Sequence, residues 1–449
     1  MLYRKITQQI KDHLESNSDK ILLVEGARQV GKSYIIRYVG EKLFPNFIEI
    51  NLADDRNGEQ YFKNVKTTEE FYLVLSSLAG NKLKTWSDTL VFLDEIQEYP
   101  HLMTMLKFLR QEGRYRYISS GSLLGVTLRR SVSIPVGSLK ILRMFPLDFE
   151  EFLIANEVGP EVISYLWECF EKRESPNLAL HERILSLFRR YLITGGLPDV
   201  VNEFLESHNI KKVREIQSDI HDLYRHDAAK YDENHKLKIM RIYEKLPSLL
   251  QQQKKRLVFK DIENKKGVRS KDYEDEVDYL IDSGVTIEVK SVSNPRFPLV
   301  ESEHKNLFKL YLNDVGLLSN ILYHTNIKPI LDYEESVNLG ALYECCVAME
   351  LENHCHKVFY YDNKKNGEVD FLVDDYADLS VVPVEVKSGK DYYVHSALCR
   401  LMNVEDYHIK KGVVLNVSGD IREEGTVLYL PVYMVMFLGN DNIREDLTF

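Results

Sequence analysis

At 449 residues the chain is too long for a single hydrophobic core, and two to four domains are expected. Its apolar fraction, 44%, is that of an ordinary globular protein, and no apolar run reaches the roughly twenty residues needed to span a bilayer. A formal net charge of −11 excludes indiscriminate coating of nucleic acid by the whole surface, while leaving room for a local basic patch.

The first fourteen residues, Met1–Leu14, mix charges and lack the apolar stretch of a signal peptide, so a cytoplasmic location is expected. A strand-like run, Ile21–Val24, then leads into Gly26–Ala27–Arg28–Gln29–Val30–Gly31–Lys32–Ser33, which is G-x-x-x-x-G-K-S opening a helix predicted over about Ser33–Lys42. In this context the glycines let backbone N–H groups curl around a β-phosphate. Lys32 neutralises the β and γ oxygens, Ser33 ligates Mg²⁺, and the helix dipole points at the same anion. Gly26 to Ser33 are therefore the expected nucleotide-binding residues.

A second apolar run, Leu90–Leu93, ends in Asp94–Glu95. In a parallel α/β sheet these acids emerge beyond the carboxyl ends of the strands, where ligands bind. Asp94 is placed to hold Mg²⁺, and Glu95 to polarise the water that attacks the γ-phosphorus. A helix over about Leu102–Gln111 and a strand over Tyr115–Ser119 follow, closing with Ser119–Ser120–Gly121–Ser122. Ser120 is the preferred residue for contacting the attacking water or the γ-phosphate, with Ser119 and Ser122 behind it. The expected catalytic set is Glu95, Lys32 and Ser120, and the expected Mg²⁺ ligands are Ser33 and Asp94.

The segment Phe145–Pro146–Leu147–Asp148–Phe149–Glu150–Glu151–Phe152 and the element Thr194–Gly195–Gly196–Leu197–Pro198 complete a set of separated motifs. Together with residues 26–33 and 93–95, they resemble prokaryotic AAA+ and STAND-like P-loop ATPases that carry a C-terminal domain of unknown function. The resemblance implies ATP and Mg²⁺ as cofactors, a helical lid, a nucleotide-sensing role near Gly195–Gly196, and a homo-oligomer as an option. Many members of that group carry an arginine in a G-R dipeptide before the P-L segment. Here Gly137 is followed by Ser138, leaving Arg129 and Arg130 as weakly specified substitutes.

From Phe149 to about Ala229 the pattern is helical, with Ile184, Leu187, Phe188 and Tyr191 at helical spacing. Residues 235–292 look like a helix-turn-helix with a wing, in which Tyr273, Val277, Leu280 and Ile281 form a helix stripe ended by Gly284. Thr286–Ser293 is the expected wing strand. Lys254, Lys255, Arg256, Lys260, Lys265, Lys266, Arg269 and Lys271 form a basic stretch of the kind that meets a phosphate backbone, so DNA is a candidate partner.

Further on, Gly367–Val373 and Val382–Lys387 alternate like two strands of a hairpin, which would bring Asp370 and Glu385 together with Lys387 beside them. Glu344 lies on the apolar face of a helix over about Asn338–Glu352 and needs a partner or a metal there. This set resembles the D…E-x-K site of PD-(D/E)XK endonuclease-like folds, which implies a second Mg²⁺ or Mn²⁺ and a lysine that positions water. A similar pattern, Asp278 followed by Glu288-x-Lys290, is set aside because Asp278 has helix periodicity. Five cysteines, Cys169, Cys345, Cys346, Cys355 and Cys399, fit no common metal spacing and are expected reduced; a zinc site through His354–Cys355–His356 is disfavoured.

The expected fold is α/β: a P-loop AAA+-like core over 1–148, a helical lid over 149–230, a winged-helix domain over 231–325, and an endonuclease-like α/β domain over 326–449. The expected function is Mg²⁺-dependent ATP binding and hydrolysis controlling the winged-helix and C-terminal modules, with action on DNA in view. The alternative is a STAND-like regulatory switch whose C-terminal domain binds protein or nucleic acid and cuts nothing. No membrane partner is expected.

Overall fold

The computed structural model describes residues 1–16, 18–122, 136–231, 233–252, 254–259, 262, 272–332, 334, 337–354, 357–389 and 393–439. It divides into two units. One is formed by Tyr3–Phe145 together with Asp278–Val285, and the other by Met1–Leu2, Pro146–Val277 and Thr286–Phe449.

The first unit is built on five strands: β1 Ile21–Glu25, β2 Asn46–Asn51, β3 Thr89–Asp94, β4 Arg116–Gly121 and β5 Leu139–Arg143. All neighbours pair parallel, in the order β2-β3-β4-β1-β5. Burial follows position in the sheet. β3 is buried along its whole length and reads as an unbroken apolar run, whereas β2, at one edge, alternates. β5, at the other edge, exposes Lys140 and Arg143. The helices Lys32–Leu43, Thr68–Ala79 and Pro100–Glu112 cover the sheet, with Phe71, Leu75, Leu102 and Leu106 in its core. Because β1 lies between β4 and β5, its carboxyl tip opens at a point where strand order reverses, the crevice in which such sheets bind ligands.

The second unit begins with helices Phe149–Ala155, Pro160–Lys172, Leu178–Thr194, Pro198–Ser207, Ile210–Tyr231 and Glu233–Leu250. Asp148 and Glu151 form a capping box at the first of these. The helical pattern expected from Phe149 onward is thus followed closely. Eight further strands make a mixed sheet: β6 Thr286–Val292, β7 Glu303–Leu312, β8 Phe359–Asn363, β9 Gly367–Asp375, β10 Ser380–Val386, β11 Gly412–Asn416, β12 Arg422–Glu424 and β13 Val427–Pro431. Their order is β12-β13-β11-β10-β9-β8-β6-β7.

This sheet corrects one expectation. Thr286–Val292 is no wing strand; it pairs parallel with β8 and antiparallel with β7, inside the sheet that carries the C-terminal residues. The short apolar alternation of a wing and of an internal strand are the same in sequence, and only the distant partner at Phe359–Tyr361 separates them. Asp278, set aside as helical, does lie in a helix, Glu274–Asp282. The apolar stretch from Val427 is β13 followed by a buried 3₁₀ segment, Val432–Phe437. Among the described residues no helix is long and apolar enough to cross a membrane.

The Gly195–Gly196 element has a structural explanation. The buried carboxylate of Asp314 accepts hydrogen bonds from Gly196 N at 2.7 Å and Leu317 N at 3.0 Å, joining this turn to the start of helix Val315–Tyr323. Burial pushes Asp314 up to about 6 against these bonds. Beside it, the buried guanidinium of Arg214 donates to Ile193 O at 3.1 Å and His324 O at 2.6 Å. A nucleotide-sensing role is not needed to account for the glycines.

Candidate functional site

The residues from Gly26 to Ser33 bridge β1 and the helix beginning at Lys32. Gly31 sits at φ 94° and Gln29 at φ 65°, turning the backbone through the left-handed region. A side chain on Gly26 would place its Cβ 2.2 Å from Met144 O, so only glycine lets the loop lie this close to the chain leaving β5. Arg4 holds the loop from outside, donating to Val30 O at 3.0 Å and Phe145 O at 2.6 Å.

Inside the loop, Lys32 Nζ donates to Gly26 O at 3.0 Å and Ala27 O at 2.8 Å. Burial lowers its pKa to about 8, although Glu95 and Asp94 pull it back up. The next residue reaches the neighbouring strand: Ser33 Oγ donates to both Asp94 oxygens, at 2.8 and 3.0 Å. Ser120, from β4, donates to Asp94 Oδ1. Burial raises Asp94 above the usual carboxylate range, while Ser120 and Ser33 oppose the shift.

Glu95 occupies the left-handed region at φ 56°, ψ 48°, a backbone state uncommon outside glycine, asparagine and aspartate. Ser122 Oγ donates to Glu95 Oε2 at 3.0 Å, and Gln97 Nε2 donates to the same oxygen. Burial would raise this carboxyl, yet Lys32, Gln97, Arg28 and Ser122 together hold it below its ordinary value. Glu95 is therefore ionised at neutral pH and fixed at one oxygen.

Lys32, Ser33, Asp94, Glu95 and Ser120 thus converge at the carboxyl tips of β1, β3 and β4. Ser120 falls beside Asp94, while Ser122, ranked behind it from sequence, serves Glu95. Ser119 is buried on the other face of β4, and its Oγ finds no hydrogen-bond partner. Gln97 was missed; its position two residues beyond the acid pair was the available signal. Arg129 and Arg130 lie outside the described residues. The oxygen donors Ser33 Oγ and Asp94 suit a hard divalent cation that takes its remaining ligands from phosphate and water.

Residues 18–153 match the family model of the AAA domain. This part of the chain is similar to AAA domains. Beyond it, residues 185–328 match one domain of unknown function, DUF8612, and residues 339–434 another, DUF4143. No curated protein matches. Among solved structures, a Walker-type ATPase of Pyrococcus abyssi is similar at 14% identity and TM-score 0.44, covering 71% of this chain and 95% of its own. The ORC2 protein of Aeropyrum pernix, in ADPNP–ADP complexes, is similar at 12% identity and TM-score 0.34, covering 74% and 94%.

In the second unit, the acids singled out by sequence also approach one another. The register of β9 with β10 ends on Phe371 opposite Val384, the residues next to Asp370 and Glu385. Asp370 Oδ2 accepts from Val386 N at 2.8 Å, and Lys387 Nζ lies 2.8 Å from Glu385 Oε1. Glu344, buried on helix Gly340–His354, accepts from Tyr311 Oη at 3.1 Å and is ion-paired with Lys255. Lys309, fully buried, lies 2.6 Å from Glu368 Oε1.

These charges tune one another. Burial and then Asp370 push Glu385 up to about 8, against Lys387. Burial works to strip the proton from Lys309, but Glu368, Glu344 and Asp370 hold it there. Lys255 and Lys387 are ion-paired with Glu344 and Glu385, and among the described residues no group of three or more His, Cys, Asp or Glu is arranged to hold a metal ion. As it stands, this donor set does not fit a second metal.

Lys255 was read as part of a basic surface stretch and instead reaches into this cluster. Its neighbours Arg256 and Leu257 run along β7, with Leu257 N donating to Phe308 O at 3.1 Å. Lys260, Lys265, Lys266, Arg269 and Lys271 lie outside the described residues, as do Cys355 and His356. Cys169, Cys345, Cys346 and Cys399 are free thiols.

Proposed function

We propose that the chain is a Mg²⁺-dependent ATP-binding protein and ATPase whose nucleotide state sets the state of its remaining modules. What carries this reading is the gathering of Lys32, Ser33, Asp94 and Glu95 around one crevice, each already paired to a group that a triphosphate would replace or use. Lys32 exchanges two loop carbonyls for phosphate oxygens, which offer a charged partner in place of neutral ones. Ser33 and Asp94 would hold the Mg²⁺, which when bound neutralises charge on the β and γ oxygens. Glu95, ionised and anchored by Ser122 and Gln97, keeps its second oxygen for orienting water and accepting its proton. Ser120 is a positioning residue for Asp94.

The test is calorimetric titration with ATP and Mg²⁺. Lys32→Ala is expected to weaken binding roughly a hundredfold, since it removes charge-assisted contacts of about 1.5–3 kcal/mol. Unaltered affinity would refute the assignment.

For the helices after Phe149 we keep the lid as a proposal. For the C-terminal residues we favour a regulatory switch over cleavage, because Lys255, from outside the D…E-x-K set, already compensates Glu344. The cleavage reading keeps one support, Glu385 Oε2, which is buried without a hydrogen-bond partner among the described residues. Plasmid and oligonucleotide cleavage assays with Mg²⁺ or Mn²⁺, with and without ATP, decide between them. Cutting by the wild type that disappears in both Asp370→Ala and Lys387→Ala would overturn the switch reading. DNA as a partner is tested by charge-reversing Lys265, Lys266 and Arg269, with unchanged duplex affinity at low salt excluding it.

A further inference from the structure

The P-loop unit includes Asp278–Val285, eight residues that follow Phe145 after about 130 intervening positions. This segment joins the end of helix Glu274–Asp282 to the tight turn that closes it. Gly284 N donates to Ile281 O at 2.9 Å, Ser283 N donates to Tyr279 O at 2.9 Å, and Ser283 Oγ donates to Leu280 O at 3.0 Å. Tyr279, Leu280, Ser283 and Val285 are all buried.

The turn meets the phosphate loop at Gly284. Gly284 lies at φ +72°, and a Cβ added there would stand 3.1 Å from Ala27 N and 3.6 Å from Ala27 Cα and Cβ. Ala27 is itself buried, and its carbonyl receives Lys32 Nζ at 2.8 Å. Gly284, the Ala27 peptide and Lys32 therefore form a short contiguous series ending at the residue that meets phosphate.

We infer that Asp278–Val285 is a positioning wall of the phosphate loop and responds to whether the loop holds a nucleoside triphosphate; this rests on the ATP-binding reading above. When Lys32 turns to the phosphates, the carbonyls of Gly26 and Ala27 lose their cation. The Gly26–Ala27 peptide, with Lys32 at its oxygen and Gly284 beside its nitrogen, then loses that hydrogen bond next to the turn. By linkage, whatever displaces the turn changes nucleotide affinity by the same factor that nucleotide changes the turn. The segment continues directly into β6, so the response is delivered to a strand of the eight-stranded sheet.

The experiment is amide hydrogen exchange on the full chain, with and without Mg²⁺ and a non-hydrolysable ATP analogue, beside calorimetric titration of the same samples. Exchange in peptides covering 278–285 is expected to change at least threefold on saturation in the wild type and to stay constant in Lys32→Ala. Binding without any change at 278–285 overturns the wall and leaves the ATP reading standing; absence of binding removes both. In a second arm, Gly284→Ala and Gly284→Asn, the latter more tolerant of positive φ, are expected to weaken fluorescent ATP binding about tenfold or more. Wild-type affinity in a folded Gly284→Asn overturns the inference, and if neither variant folds the exchange result on the wild type decides.

Discussion

The P-loop crevice and the acid–lysine cluster of the mixed sheet contain the same kinds of side chain, arranged to opposite ends. In the crevice, Lys32 rests on neutral carbonyls and Asp94 on hydroxyls, so every partner can be exchanged for phosphate, metal or water. In the mixed sheet, Lys255 and Lys309 rest on Glu344 and Glu368, charge against charge, and Lys387 sits against Glu385. Opposite charges already in contact leave little for a ligand to gain. Buried ion pairs of this sort fix an arrangement, and breaking one strands its partner.

That contrast can be attacked where it is strongest. Glu95→Gln keeps the shape of the crevice and removes its anionic oxygen, so turnover should fall about 10²–10⁴-fold while nucleotide affinity stays within about threefold. A steady-state phosphate-release assay with near-wild-type turnover would end the assignment of Glu95.

Lys255→Met should do the reverse, leaving nucleotide affinity intact but costing about 3–5 kcal/mol of stability by abandoning Glu344 in the interior. Urea unfolding measures it, and Lys255→Met combined with Glu344→Leu should recover most of the loss. A single variant as stable as wild type would mean that the pair is not held as described.

The acidity of Lys32 sharpens the difference. Without nucleotide its ammonium is lost above about pH 8, so affinity for ATP should drop about tenfold per pH unit beyond that point. Glu95→Gln removes a neighbour that stabilises the ammonium and should move the decline to lower pH. A further effect concerns Glu385. Its carboxyl is raised from 4.5 to about 8 on folding, so the folded state holds the extra proton and stability should decline as pH rises between those values. Glu385→Gln should flatten that part of the thermal-melting profile.

The crevice was legible in the sequence because each of its pieces is local. Gly26–Ser33 and Asp94–Glu95 lie at ends of strands whose apolar runs announce them, and parallel-sheet geometry brings the ends together. The choice among Ser119, Ser120 and Ser122 was harder. Pleating puts Ser120 and Ser122 on one face and Ser119 on the other, but which acid each serves depends on the twist of β3 against β4. Asp370 and Glu385 were placed by strand alternation alone. Lys255 was not, since its partner is 89 positions away and a lysine in a basic stretch carries no mark of burial. The wing strand failed for the same reason: β6 acquires its meaning from β8, which nothing near Thr286 foretells.

The place of β6 and β7 in the eight-stranded sheet has a practical consequence for dissecting the chain. A cut near residue 330, inviting because one family match ends and another begins there, would sever two edgemost strands from the other six. It would also discard Lys255, Lys309 and Tyr311, leaving Glu344 and Glu368 without their counterions. A recombinant fragment beginning at Thr286 keeps both strands but still forfeits Lys255; one that starts before Lys255 retains the whole set.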